Sequence, residues 1–244
     1  MTRPSLEAIL VVVPIHDEEA LLPRCLDSLS DAIAQVRSTE TDAPTITVKL
    51  VLDSCTDDSA AIASRSEFDS DVVVADVNNV GEARARGVAL GLQAMGDVDP
   101  EAVWIANTDG DSRVPENWLS EQIELARRGA DVMIGTVRPD FSDLSEAQRQ
   151  AWARTHVPGT ANGHVHGANL GFRANRYLQA GGYPQLPEHE DVQLVSALRS
   201  LPGIVEEATD ACWVLTSGRS VGRTPGRLRN AETSCTSSCS GSCG

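Results

Sequence analysis

Ile9-Leu10-Val11-Val12-Val13-Pro14-Ile15-His16-Asp17-Glu18-Glu19 is the stretch that decides the fold. Ile9 to Ile15 is apolar almost throughout, as expected of a strand whose two faces are both covered rather than one. It is strand-sized, and it ends abruptly in acid. Downstream, Leu22, Leu26, Leu29, Ile33 and Val36 recur at helical spacing, so one apolar stripe of a helix faces the sheet.

The alternation continues outward from there. Ile46 to Leu52 reads as a second strand, and Asp57-Asp58-Ser59 offers caps for a helix through Ala60 to Arg65. Asp71 to Ala75 is a third strand. Gly81 to Met95 reads as a helix with Val88, Leu92 and Met95 on one face. Ala102 to Ala106 is a fourth strand, Pro115 opens a helix through Trp118, Leu119, Ile123 and Ala126, and Asp131 to Val137 is another strand. From Arg138 onward the pattern loses its regularity. Strands alternating with helices predict an α/β fold, a doubly wound, mainly parallel, Rossmann-like sheet in a single domain. In such sheets ligands bind at the carboxyl ends of strands near a change in strand order.

Composition narrows the partners. Lys and Arg number 20 against 35 Asp and Glu, a formal charge of -15, and Lys49 is the only lysine. Such a chain repels nucleic acid and anionic headgroups, and suits a divalent cation as intermediary to an anionic substrate. No apolar run approaches the roughly 20 residues that span a bilayer. A cytoplasmic protein without a transmembrane segment is expected, with peripheral contact at a membrane surface left open. Cys25, Cys55 and Cys212 read as small buried apolar residues. Cys235, Cys239 and Cys243 lie in a Ser, Thr and Gly tail; neither group has zinc-site or disulfide spacing.

Three acidic groups follow strands: His16-Asp17-Glu18-Glu19, Asp53 with Asp57 and Asp58, and Thr108-Asp109-Gly110-Asp111. Asp caps helices and stabilises turns, so each alone is ordinary loop chemistry. Three together at corresponding strand ends repel one another unless a cation or a donor-rich ligand sits among them. A turn at Gly110 brings the oxygens of Asp109 and Asp111 towards one ion, and Mg²⁺ or Mn²⁺ prefers such hard ligands.

Val11 to Glu19 resembles the opening strand of family 2 glycosyltransferases of the GT-A fold. Leu50-Val51-Leu52-Asp53-Ser54-Cys55-Thr56-Asp57-Asp58-Ser59 is similar to their second nucleotide-binding segment. Asn79-Val80-Gly81-Glu82-Ala83-Arg84-Ala85-Arg86-Gly87 resembles the segment that follows, Trp104 to Val114 carries the Asp-x-Asp, and Glu190-Asp191 resembles the late acidic pair. The series runs in order from about Val11 to Arg223.

The resemblance implies an inverting, metal-dependent hexosyltransferase that takes a sugar from a nucleoside diphosphate sugar (UDP or GDP) to an unidentified hydroxyl acceptor. Pro14, Asp17, Glu18 and Asp53 would line the base and ribose pocket. Arg84 would face the nucleotide or diphosphate, Asp109 would hold sugar or ribose hydroxyls, and Asp111 would ligate Mg²⁺ or Mn²⁺. Asp191 would be the catalytic base beside Glu190, and Gly167 and Asn169 would form part of the donor or acceptor wall. Plain structural readings stand beside these. Gly81 and Gly87 serve close packing equally well, Arg84 and Arg86 a solvated helix face, Asp57 a helix cap, Gly167 to Asn169 a structural turn, Glu190 and Asp191 the dipole of a helix N-terminus, and Trp213, in a strand-like run, the core. Trp152 and Trp213 are also suited to stacking on sugar faces.

Thr216-Ser217-Gly218-Arg219 and Gly222-Arg223 resemble a basic segment of one group of these enzymes, whose arginines meet diphosphate. Beyond Pro225-Gly226 the likeness ends. Residues 1–226 are expected to form the glycosyltransferase domain, and 227–244 a disordered tail that buries too little apolar area to fold. Two other functions compete. A nucleotidyltransferase would carry a glycine-rich, basic loop after the first strand, where this chain has Asp17-Glu18-Glu19. A non-catalytic nucleotide-sugar binding module would bind donor and release no product. A dinucleotide-dependent oxidoreductase is disfavoured, since no G-x-G-x-x-G follows the first strand.

Overall fold

The computed structural model describes residues 4–219. Its elements are β1 (Ala8–Ile15), α1 (Leu22–Thr39), β2 (Thr45–Asp53), α2 (Ser59–Ala63), β3 (Ser70–Ala75), α3 (Val80–Ala94) and β4 (Val103–Asn107). They continue with α4 (Trp118–Arg127), β5 (Val132–Pro139), α5 (Glu146–Thr155), β6 (Leu170–Arg173), α6 (Ala174–Gln179), α7 (Glu190–Arg199) and β7 (Glu206–Thr216). One seven-stranded sheet runs in the order β3-β2-β1-β4-β6-β5-β7. All pairs are parallel except those of β6, which is antiparallel to both β4 and β5. This is the doubly wound, mainly parallel α/β sheet expected of the GT-A fold. Strand order turns between β1 and β4, and that is where a crevice forms. Among the described residues no helix is long and apolar enough to cross a membrane. The tail, with Gly222 and Arg223, lies outside the described residues.

Every residue of β1 is buried. Ile9, Val11, Val13 and Ile15 pack with α1 and α4, whereas Leu10 and Val12 pack with the helices on the other face. Two covered faces explain the unbroken apolar run. α1 buries Leu22, Leu26, Leu29, Ile33 and Val36, the stripe its spacing predicts. Cys25 and Cys212 are buried as expected, and Cys55 only partly.

α3 departs from its predicted face. Its buried residues are Gly81, Ala83, Arg84, Gly87, Val88 and Gly91, while Leu92 and Met95 only border the core. Small residues let the helix axis lie close to the sheet. A Cβ on Gly87 would sit 2.7 Å from Val12 Cγ1 and 2.9 Å from Val51 Cγ2, both on stiff β-branched side chains. Gly87→Ala is therefore expected to destabilise, since overpacking costs about 1–3 kcal/mol against a helix-propensity gain of about 1 kcal/mol. Urea unfolding checks the sign; a stabilised variant would show that the seam has slack.

The loss of regularity after Arg138 also has a structural cause. β6 has four residues and α6 six, too few to display a period.

Candidate active site

The acidic loops meet at the carboxyl ends of β1, β2 and β4, beside the N-termini of α3 and α7. Four residues there adopt left-handed backbone without being glycine: Asp17 (φ 52), Ser54 (φ 52), Asn78 (φ 47) and His189 (φ 62). Such strain clusters where surrounding structure fixes a functional geometry.

Backbone amides resolve much of the predicted repulsion. Asp53, at the end of β2 and 4% exposed, accepts N–H bonds from Val77 (2.9 Å), Asn78 (2.8 Å) and Asn79 (2.8 Å). Its carboxylate thus clamps the loop entering α3, leaving lone-pair capacity mainly on Oδ2. Asp17 accepts from the Thr56 N–H at 2.6 Å and the Asp57 N–H at 3.2 Å, and the Thr56 amide above all holds its carboxyl below the usual range. Asp57 accepts from the N–H of Ser59 (3.0 Å), the first residue of α2, and from that of Glu19 (2.9 Å). Pro14 is buried, and its carbonyl receives the Gly110 N–H at 3.2 Å.

Two arginines hold the remaining acids. Arg84 is fully buried; its Nη2 donates to Asp109 Oδ1 at 2.5 Å and its Nε to Glu190 Oε1 at 3.2 Å. Burial pulls its pKa down, but Asp109 and other groups led by Tyr183 and Glu190 outweigh that and raise it. Glu190 is pushed above the usual carboxylate range, chiefly by burial and despite Arg84. Arg84 therefore belongs to a buried ion triad, whereas the resemblance turned it towards the diphosphate. Arg219 donates to Glu18 at 2.8 and 3.0 Å and to Asp111 Oδ2 at 3.3 Å. Asp111 Oδ1 receives the hydroxyls of Ser112 (3.1 Å) and Thr216 (3.2 Å). The expected convergence of Asp109 and Asp111 is replaced by a division: each carboxylate pairs with a different arginine.

Asp191, partly exposed at the start of α7, accepts the Gly167 N–H on Oδ2 and the Val192 N–H on Oδ1, both at 2.7 Å. Gly167 fits because a Cβ there would lie 2.5 Å from Arg84 Nη2. Asn169 departs from the expected wall position. Its Nδ2 donates to the Thr136 and Cys212 carbonyls at 3.0 Å and its Oδ1 receives the Trp118 indole N–H at 2.9 Å. With the side chain fully buried and its donors spent, it stitches the sheet together.

Arg24 was missed from sequence. It donates to the Asp111 carbonyl at 3.2 Å and pairs with Asp140 at 3.4 Å. A cation in the first turn of a helix opposes the dipole, and that is the signal of a tertiary partner.

Metal-binding capacity divides between two places. Among the described residues, Asp17, Cys55 and Asp57 are the group of three ligand-type side chains close enough to share an ion. The fit is poor, because backbone amides occupy Asp17 and Asp57 and burial raises the Cys55 thiol pKa. Glu18 and Asp111 already accommodate a cationic group between them, and their hard oxygens suit Mg²⁺ or Mn²⁺.

Comparisons with known proteins agree with this architecture. S. aureus TarS 1-349 superposes with a TM-score of 0.60 at 15% identity, covering 86% of this chain and 60% of that one. Mannosyltransferase PcManGT from Pyrobaculum calidifontis, in complex with GDP-Man and Mn²⁺, gives 0.59 at 18% identity over 88% and 58%. Glucosyl-3-phosphoglycerate synthase from Mycobacterium tuberculosis, with Mg²⁺ and UDP, gives 0.56 at 15% identity over 87% and 72%. The chain thus spans about three-fifths of the length of the first two. No curated protein matches it by sequence. The Glycosyl transferase family 2 model matches residues 10–178, the greater part of the chain, and the protein belongs to that family.

Proposed function

We propose that this chain transfers a hexosyl group from a nucleoside diphosphate sugar, UDP- or GDP-linked, to a hydroxyl acceptor, with inversion and with the help of Mg²⁺ or Mn²⁺. The observation that carries this reading is the Arg84 triad. It ties Asp109, after β4, to Glu190, next to Asp191, and so sets the donor loop and the only partly exposed acid of the pair on one rim. Structures of similar fold hold GDP-Man with Mn²⁺ or UDP with Mg²⁺, which supports both the donor class and the ion.

Asp111 is the proposed ligand, joined by Glu18, which the resemblance set on the base and ribose side but which shares Arg219 with Asp111; a divalent cation held there would supply Lewis acidity towards the departing diphosphate. Pro14, Asp17 and the remaining lone pair of Asp53 line the base and ribose side. Asp109 faces sugar hydroxyls while Arg84 fixes its position, and Gly167 orients Asp191 through its N–H. Asp191 takes the proton of the acceptor hydroxyl. The acceptor oxygen then bonds to the anomeric carbon as the bond to the diphosphate breaks, the electron pair leaving with the diphosphate. One displacement inverts the centre. We place this activity in the cytoplasm, with an unidentified acceptor.

A thermal-shift screen of UDP- and GDP-sugars with and without Mn²⁺ tests the reading, because a ligand that binds only the folded state stabilises it by mass action. One donor is expected to raise Tm in a Mn²⁺-dependent manner, and Asp111→Asn to abolish the Mn²⁺ dependence. An unchanged metal response in that variant would remove Asp111 from the site.

A further inference from the structure

α5 is a helix that buries none of its residues, although a complete capping box of Ser145 and Gln148 forms its start. Helices of globular proteins normally earn their stability by burying one face. What α5 contributes instead is Trp152, one member of a strip of rings that the flanking segments continue. Trp152 stacks on His156 with centroids 4.2 Å apart and 9° between planes, and meets Phe141 edge-on at 5.1 Å. The strip continues through His164, 6.2 Å from His156, to His166 a further 6.4 Å on. Phe141 is 41% exposed and the neighbouring Val157 68%. Exposed rings gathered in one strip, rather than scattered singly, suit a binding face.

Polar groups border the strip. Arg138 lies over the Trp213 ring, 4.3 Å from its centroid, and pairs with Asp210 at 2.6 Å. Trp213 is half-exposed, not the core residue its strand-like setting suggests, and it joins the strip only through Arg138. Arg138, Trp152, His156, Pro158 and Asp210 line one small cleft.

Both ends of the strip reach the site already described. His166 precedes Gly167, whose N–H holds Asp191. Phe141 follows Asp140, which pairs with Arg24, and Arg24 also donates to the Asp111 carbonyl. The strip thus ends one residue before Gly167, which holds Asp191, and one residue after Asp140, whose partner Arg24 also bonds the Asp111 carbonyl.

We propose that this wall is the acceptor subsite, and that its acceptor is a carbohydrate, a glycoside or glycan that presents a sugar hydroxyl to Asp191. The inference rests on the donor reading above. A pyranose has apolar C–H faces and a hydroxylated rim. Aromatic rings beside a fixed guanidinium–carboxylate pair offer both kinds of contact. Nucleic acid and anionic lipid acceptors are disfavoured by the net charge of -15.

The test uses the full chain with UDP or GDP, Mn²⁺ and a fixed set of probes: the methyl glycosides of glucose, mannose and galactose and their trisaccharides. Tryptophan fluorescence and saturation-transfer NMR report binding. At least one probe is expected to bind, with Trp152→Ala weakening it by about tenfold and Trp152→Phe restoring most of the affinity, as loss of one aromatic contact predicts. Since no residue of α5 is fully buried and Trp152 is itself half-exposed, the alanine variant should keep the fold, and circular dichroism checks this. Arg138→Gln should weaken the same probe. Nucleotide binding without Trp152-dependent binding of any probe overturns the subsite, as would a peptide substrate used as acceptor. Failure of the unaltered protein to bind either nucleotide defeats the donor reading instead.

Discussion

Asp191→Asn is expected to lower kcat by about 10²–10⁴-fold, the range that general-base catalysis contributes, while leaving the affinity for nucleoside diphosphate within about twofold. The side chain sits at the start of α7 with each oxygen fixed by one backbone N–H, from Gly167 and from Val192. Those two bonds orient the carboxylate and leave it partly exposed, as the proposed base requires. Asparagine keeps the shape but loses the proton-accepting charge. Its amide NH₂ also faces one of the two backbone N–H groups in either orientation, so a local cost accompanies the kinetic one. Unfolding measured beside turnover separates these: a structural role alone would lower stability and donor affinity together. Turnover near that of the unaltered protein would remove Asp191 from the chemistry.

Arg84→Met is expected to cost about 3–5 kcal/mol of stability, because breaking a buried ion pair strands its partners without compensation. Methionine preserves much of the apolar stem, so the loss reports charge rather than volume. Asp109 and Glu190 would remain buried around an empty centre, with only 6% and 5% of their surfaces exposed. Adding Glu190→Gln to the same chain should recover part of the loss by removing one of the two orphaned charges, a coupling that a double-mutant cycle measures. Urea unfolding of the four proteins is the experiment. A loss below about 1 kcal/mol for the single variant would place the triad with solvent-screened surface pairs.

The framework was legible because it depends on local pattern. β1, β2, β4 and α1 are long enough, and apolar on the right faces, to declare their type. The sequence of acidic loops at strand ends likewise located the crevice. The partners of those acids were not legible. Nothing in Asp17-Glu18-Glu19 announces that left-handed turns will aim backbone amides at neighbouring carboxylates, since an amide donor has no residue signature. The resemblance turns Arg84 towards the nucleotide or diphosphate, and helical spacing alone leaves it on a solvated face equally well. Its burial depends on α3 lying deep against the sheet, which the spacing of Val88, Leu92 and Met95 misrepresented. Asn169 was lost for the opposite reason. A loop asparagine looks available, and only β5, β7 and α4 together reveal that three partners consume it. The resemblance points to Arg219, but its bond to Glu18 spans 201 positions, beyond any local signal.

The seam of missing side chains along α3 works as a ruler. Gly87 and Gly91 fix how near the helix lies to Val12, Val51 and Leu10, and that nearness fixes how far both Asn79 and Arg84 extend. A single methyl group added there is expected to draw back the Asn79 amide, one of three that hold Asp53, and the guanidinium that joins Asp109 to Glu190, loosening two ends of the crevice at once.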